Sequence, residues 1–168
     1  MAGNDVSCTY CNSIHSFPLM YYCSHFSQLS ANDFHDIIQL RINVFVVEQN
    51  CPYPELDNKD KEAYHVFTRN EKQELVATAR ILPAGISYNE VSIGRVCTAR
   101  QSRMTGEGKI LMKKTMEAIE KIFGKVSVRI SAQQYLVKFY SDFGFNQVSE
   151  MYLEDDIPHV EMLFIPKE

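Results

Sequence analysis

Six consecutive residues, Arg103-Met104-Thr105-Gly106-Glu107-Gly108, have the types and spacing to hold an anion. They follow a β-prone run and open an amphipathic helical pattern. Glycine lets the main chain approach an anion closely, and unpaired N–H groups at a helix start, aided by the helix dipole, bind phosphate oxygens. Arg103 and Lys109 add positive charge. Two other phosphate patterns do not fit: Gly-x-Gly-x-x-Gly would need glycine where Leu111 stands, and the P-loop needs Ser or Thr where Ile110 follows Gly108-Lys109. A nucleoside triphosphatase is disfavoured. The residues alone leave a second reading open, that the two glycines serve only a tight strand-to-helix turn.

Other residues carry titratable or nucleophilic groups. Glu48 ends the apolar run 44–47, where burial at a cleft wall would raise its pKa toward that of a general base; an ion pair with Arg41 or Arg95 explains it equally well. Glu154, Asp155 and His159 are candidates for the same base or for a substrate site, and no spacing rule chooses among them. Cys97 is either an acyl-accepting thiol or a small buried hydrophobe. A metal is not expected. Cys8-x-x-Cys11 with His15, Cys23 and His25 lacks the second half of a zinc-finger spacing, and Asp57, Asp60 and His65 suit a polar loop and a strand start.

The elements that must position these groups can be read from period and punctuation. Residues 1–17 are polar and aperiodic, a flexible leader, and residues 18–168 form a single domain. Residues 19–26 are β-prone, and Ser30 with Asp33 marks a helix start whose inner face is Phe34, Ile37, Ile38, Arg41, Val44 and Phe45. The prolines and polar residues of 49–60 make a loop. A hairpin spans 63–69 and 75–82, and a strand 91–98. A helix from Gly106 turns Leu111, Met112, Thr115, Met116, Ile119, Ile122 and Phe123 inward and stops at Gly124. Then come a strand at 126–131, a helix at 133–143 stopped by Gly144, and strands at 145–153 and 159–165. The order βα-βββ-αβ-αββ is an α/β or α+β layered domain.

The chain has 168 residues, of which 17 are basic and 21 acidic, for a net charge of −4. That lacks the basic surplus that nucleic-acid binding needs. No run approaches the ~20 apolar residues of a membrane span, and residues 1–11 do not read as a secretory signal, so a cytoplasmic location is expected. The five cysteines are odd in number and scattered, so reduced thiols are expected.

Residues 103–108 resemble the pyrophosphate loop, Arg/Gln-x-x-Gly-x-Gly/Ala, of the GNAT superfamily of N-acetyltransferases, and Phe139-Tyr140-Ser141-Asp142-Phe143-Gly144-Phe145 is similar to its Phe-Tyr-x-x-x-Gly-Phe segment. The blocks 41–53, Ile93-Gly94-Arg95-Val96, Ala132-Gln133 and 152–159 resemble its ElaA-like branch. The resemblance implies a mixed, mostly antiparallel sheet of six to seven strands, splayed between strands 4 and 5, with helices on both faces. It implies acetyl-coenzyme A as co-substrate and a primary amine of a small molecule or peptide as acceptor. The main chain at Val96, Cys97 and Thr98 would meet the thioester and pantetheine, with Gln133 opposite. The amides from Arg103 through Met104, Thr105, Gly106, Glu107 and Gly108 to Lys109 would take the pyrophosphate. Tyr140, matching the family's tyrosine, would be the general acid; the resemblance does not choose the base, for which Glu48 is taken first on its own context, with Glu154, Asp155 and His159 kept as substrate-site candidates. Two positions depart from the pattern: Glu107 stands where an aliphatic residue is usual, placing a carboxylate beside the phosphates, and Asp156 stands where the ElaA-like pattern has glycine. A coenzyme A-binding regulatory module without turnover is the alternative, and the final strands are available for a homodimer.

Overall fold

The computed structural model describes residues 19–167. The leader expected over residues 1–17, with Cys8, Cys11 and His15, lies outside them. Strand β1 (Tyr21–His25) leads into helix α1 (Ala31–Arg41), which starts where the sequence placed it. The Ser30 hydroxyl oxygen accepts the Asp33 amide at 3.0 Å and the hydroxyl donates to the Asp33 carboxylate at 2.7 Å, satisfying one of the amides a helix start leaves free. Beyond Arg41 the helix widens into π-helical turns over Ile42–Glu48. Such turns are uncommon and concentrate at functional sites.

Strands β2 (Tyr64–Arg69), β3 (Leu75–Leu82) and β4 (Val91–Thr98) follow, then helix α2 (Glu107–Phe123), strand β5 (Val128–Gln133) and the short helix α3 (Val137–Ser141). The chain ends in β6 (Asn146–Gln147), β7 (Tyr152–Glu154) and β8 (Ile157–Phe164). The sheet runs β1-β2-β3-β4-β5-β8-β6, with β7 also on β8, and every pairing is antiparallel except β4 with β5.

The structure thus has eight strands where six to seven were expected, because the run 145–153 is broken. From Gln147, opposite Met162, to Tyr152, opposite His159, five steps on one side face three on the other. The excess bulges out, and the Ser149 hydroxyl takes the Glu161 amide at 2.8 Å in place of a ladder carbonyl. The helix expected over 133–143 is shorter than its pattern. Gln133 stays in β5 opposite His159, and residues 134–136 form a 3₁₀ turn before α3 begins.

Two apolar clusters lie on opposite faces of the sheet, as the layered reading requires. Leu111, Met112 and Ile119 of α2 pack on Ala77, Ala79 and Ile81 of β3, whereas Leu40 and Val44 pack on Val76, Cys97 and Ala99. Each fully buried aliphatic side chain contributes about 1.5–3 kcal/mol. Gly124 ends α2 at φ 78°, a conformation that disfavours any residue with a Cβ.

The feature that matters most for function lies between β4 and β5. Their parallel ladder consists of Val91 opposite Val128 and Ser92 opposite Arg129, after which β4 follows β3 and β5 follows β8. A bulge in β4 reinforces the divergence: Thr78 faces Cys97 but Arg80 faces Gly94, so Arg95 and Val96 share one position, and Arg95 takes φ 52°. The expected splay is present.

Candidate active site

A cavity of about 360 Å³ fills the splay. It passes through the sheet, since Phe45 reaches it from the α1 side and Leu136 and Tyr140 from the α3 side. Gln133 donates to Gln49 at 3.2 Å across it, tying β5 to the end of the π-helical turns.

Tyr140 is 7% exposed, with its ring edge-on against Phe139 and Phe145. Burial pushes its phenol well above the ordinary range, so it keeps its proton at neutral pH. Burial likewise pushes the Cys97 thiol up to about 12, leaving almost no thiolate at neutral pH and removing the basis for an acyl-cysteine.

His159 has the complementary property. Its Nδ1 lies 2.8 Å from the Ile157 carbonyl, which can only accept, so Nδ1 carries a proton, and Nε2 has no hydrogen-bond partner among the described residues. The ring stacks on Tyr152. Beside it, Ser131 donates to Glu154 at 2.8 Å and lies 2.6 Å from the Tyr152 hydroxyl. The turn from β7 to β8 sets Asp155 at φ 50° and Asp156 at φ 62° between Glu154 and Ile157, the two left-handed residues of a tight hairpin. Asp156 therefore adopts the conformation that glycine would supply, and the turn keeps its shape.

The loop expected to take an anion lies between the end of β4 and the start of α2. Gly106 caps the helix at φ 90°, where the space a Cβ would occupy is open but the backbone conformation demands glycine. Gly108 is less constrained: a Cβ there would come within 3.9 Å of Phe139, an ordinary contact. The Arg103 amide donates to Arg100 and the Lys109 amide to Gly106, while the amides of residues 104–108 find no acceptor among the described residues. The cradle is thus narrower than the expected 103–109. These free amides at a helix N-terminus, flanked by Arg103 and Lys109, fit a pyrophosphate.

Glu107 does not oppose that charge directly. Its side chain turns inward, 8% exposed, and accepts a hydrogen bond from the Tyr21 hydroxyl of β1. Burial, and then this bond, raise the Tyr21 phenol. Glu48 is also engaged: Arg103 grips its carboxylate at 2.7 Å while donating to the Thr98 carbonyl at 3.3 Å. Neither ion pair foreseen for Glu48, with Arg41 or Arg95, forms.

Arg41 instead is buried, 1% exposed, between Glu55 and Asp60. Arg80 pairs with Asp57 and Asp60, and Arg95 with Glu55, to which Tyr53 also donates. Burial alone would raise the Asp60 carboxyl, but hydrogen bonds and charge from Arg41, then Arg80, hold it below the usual carboxylate range. The acidic loop residues weighed as metal ligands thus anchor the 49–63 segment to the sheet. His65, beside them and fully buried, is pushed down to about 4 by burial.

A profile of the acetyltransferase (GNAT) domain family matches residues 35–165. The chain belongs to the GNAT acetyltransferase family. It is 42% identical to ElaA of Escherichia coli over 139 residues, 82% of this chain and 91% of ElaA. It is 40% identical over 145 residues to a UPF0039 protein of Schizosaccharomyces pombe, covering 86% and 95% of the two chains. The solved structure of an acyl-CoA N-acyltransferase from Pseudomonas aeruginosa matches with a TM-score of 0.83 at 38% identity, over 88% of this chain and 99% of that one. The crystal structure of E. coli ElaA gives a TM-score of 0.82 at 38% identity over the same shares. The resemblance to the ElaA-like branch is borne out. This GNAT-family chain is an acyltransferase, of a fold that generally binds acyl-coenzyme A.

Of the residues singled out in the sequence, the GNAT fold brings Val96, Gln133, Tyr140, Glu154, Asp155 and His159 to one cavity. Cys97, Thr98 and Glu48 do not line it, and the free amides of residues 104–108 lie apart from it at the start of α2. Sequence reasoning missed Lys59, Ser87 and Ser131, which do line it. No spacing could have found the first two, since Lys59 lies in a short 3₁₀ turn of the aperiodic 49–63 segment and Ser87 in a loop; Ser131 is marked only by its place two residues before Gln133 on β5.

Proposed function

We propose that the protein transfers an acetyl group from acetyl-coenzyme A to a primary amine of a small molecule or peptide by direct attack. The observation that carries this reading is the through-sheet cavity in which a protonated phenol, Tyr140, and an imidazole with a free Nε2, His159, share one volume beside the amide cradle. The amides of 104–108, with Arg103 and Lys109, hold the pyrophosphate. The pantetheine arm lies along β4 at Val96, Cys97 and Thr98, with Gln133 opposite. Bound there, the co-substrate supplies a thioester carbonyl carbon, which forms a bond to the amine nitrogen as its bond to sulfur breaks.

The residues of the chain manage the protons. Glu154 and Asp155 attract the acceptor as an ammonium, and His159 Nε2 takes the proton that must leave before or during attack. Tyr140 gives its proton to the departing sulfur. Glu48, first choice as base in the sequence, is held by Arg103 and does not reach the cavity wall, so we assign the base to His159. The reading without turnover rested on Glu107 and Asp156; one is tied to Tyr21 and the other keeps its turn, so neither favours it.

Thiol release from acetyl-coenzyme A in the presence of amines tests the assignment. Tyr140→Phe and His159→Gln are each expected to lower kcat by roughly 10²–10⁴-fold with the acetyl-coenzyme A KM unchanged. Full kcat in either variant would refute that residue's role. Binding without thiol release for every amine would establish the regulatory module instead.

A further inference from the structure

The charged groups lining the cavity are sorted by wall. On the β3–β4 side, Arg80 and Arg95 are already matched by Asp57, Asp60 and Glu55, but Lys59 has no carboxylate within ion-pair distance among the described residues. Its ammonium donates to the Ser87 hydroxyl at 2.9 Å, which leaves further donors on that nitrogen. Arg80 adds to the surplus: it is 4% exposed and its Nε finds no acceptor among the described residues. This wall has more donors than acceptors.

The opposite wall, built from β5, β7 and β8, has the reverse balance. Glu154 accepts from Ser131, and neither Glu154 nor Asp155 has a cationic partner among the described residues. His159, with its free Nε2, stands on the same wall, opposite Gln133 in the β5–β8 ladder. Because β4 and β5 diverge, these two walls face each other across the splay rather than pairing. The volume of about 360 Å³ falls in the lower part of the ~300–1,000 Å³ range of small-molecule sites.

We infer that the acceptor is a free amino carboxylic acid, its amine held on the Glu154–Asp155–His159 wall and its carboxylate on Lys59 and Ser87. This rests on the acyltransferase reading above and names the substrate class of that site. The carboxylate supplies the acceptor that the donor-rich wall lacks. The ammonium meets the unpaired carboxylates, next to the group that deprotonates it. A diamine would leave Lys59 facing a like charge, and an internal lysine of a protein would carry no carboxylate to that wall.

The test is thiol release with a series of amino acids of increasing amine-to-carboxylate separation, from glycine through 4-aminobutyrate to 6-aminohexanoate and lysine, each beside its carboxamide and the matching alkylamine or diamine. At least one acid is expected to exceed its carboxamide in kcat/KM by roughly tenfold, as the loss of one charge-assisted hydrogen bond implies. In Lys59→Gln that ratio is expected to fall to near one. A diamine or carboxamide preferred over every acid, or a Lys59→Gln variant that keeps the ratio, overturns the inference while leaving the acyltransferase reading intact. Acetyl-coenzyme A that binds but releases no thiol with any amine overturns both.

Discussion

Replacing Tyr21 by Phe removes one oxygen atom and leaves Glu107, 8% exposed, without its hydrogen-bond donor at the start of α2. A hydrogen bond to a charged group is worth about 1.5–3 kcal/mol. In a domain of this size that corresponds to a fall in Tm of roughly 3–12 °C. If the freed carboxylate swings outward, a separation from the pyrophosphate of about 8 Å would give a repulsion of about 0.5–2 kcal/mol between the dielectric limits of water and a protein surface. Acetyl-coenzyme A should then bind roughly 2- to 30-fold more weakly. Thermal unfolding and isothermal titration read the two effects separately. Adding Glu107→Leu to Tyr21→Phe replaces both partners by apolar groups and should restore affinity and most of the stability, because a pair removed together leaves no orphaned charge. A Tyr21→Phe protein with unchanged Tm and affinity, or a double variant no better than the single one, would refute the clamp.

Three further outcomes are expected. The His65 pKa is depressed from 6.5 to about 4, so the unfolded chain binds the extra proton first: its contribution is complete above pH 6.5 and is lost as pH falls toward 4, about 3 kcal/mol at most. Denaturant unfolding at pH 7 and 4.5 should show a smaller loss in His65→Gln than in the wild type; an equal loss would contradict this. Arg41→Met leaves Glu55 and Asp60 buried without their main cation and should cost about 3–5 kcal/mol in equilibrium unfolding; a cost under about 1 kcal/mol would show that Arg80 and Arg95 suffice. Cys97→Ala should keep kcat within about threefold, since a thiol at about 12 is no nucleophile; a hundredfold loss would revive the acyl-cysteine.

What the sequence made legible follows from how local each signal is. Ser30 with Asp33, and Gly106 and Gly124 at the two ends of α2, act within a turn of their own position, and each appears where the sequence put it. The inward face of α2 is a period, and Leu111, Met112, Thr115 and Ile119 are buried as that period requires. The break at 148–151 was illegible because it depends on Ser149 reaching β8, a long-range partner that alternation does not encode. Arg41 was visible as a charge on an apolar face, yet its partners Glu55 and Asp60 lie 14 and 19 residues away in a loop without periodicity. Glu48 shows the limit most clearly. Its local context offers a cleft wall or a nearby arginine, and the partner it takes, Arg103, lies 55 residues on. Lys59, in the 3₁₀ turn 58–62, and Ser87, in the loop before β4, meet 28 residues apart at one cavity.

The central claim is that residues 104–108 hold the co-substrate, and isothermal titration of acetyl-coenzyme A into the wild type and a Gly106→Asp/Gly108→Asp variant tests it most directly. Two carboxylates in the cradle should abolish the micromolar binding expected of the wild type, in a variant whose circular dichroism spectrum confirms that it is folded. Undiminished affinity in that variant, or no binding to the wild type, would contradict the account.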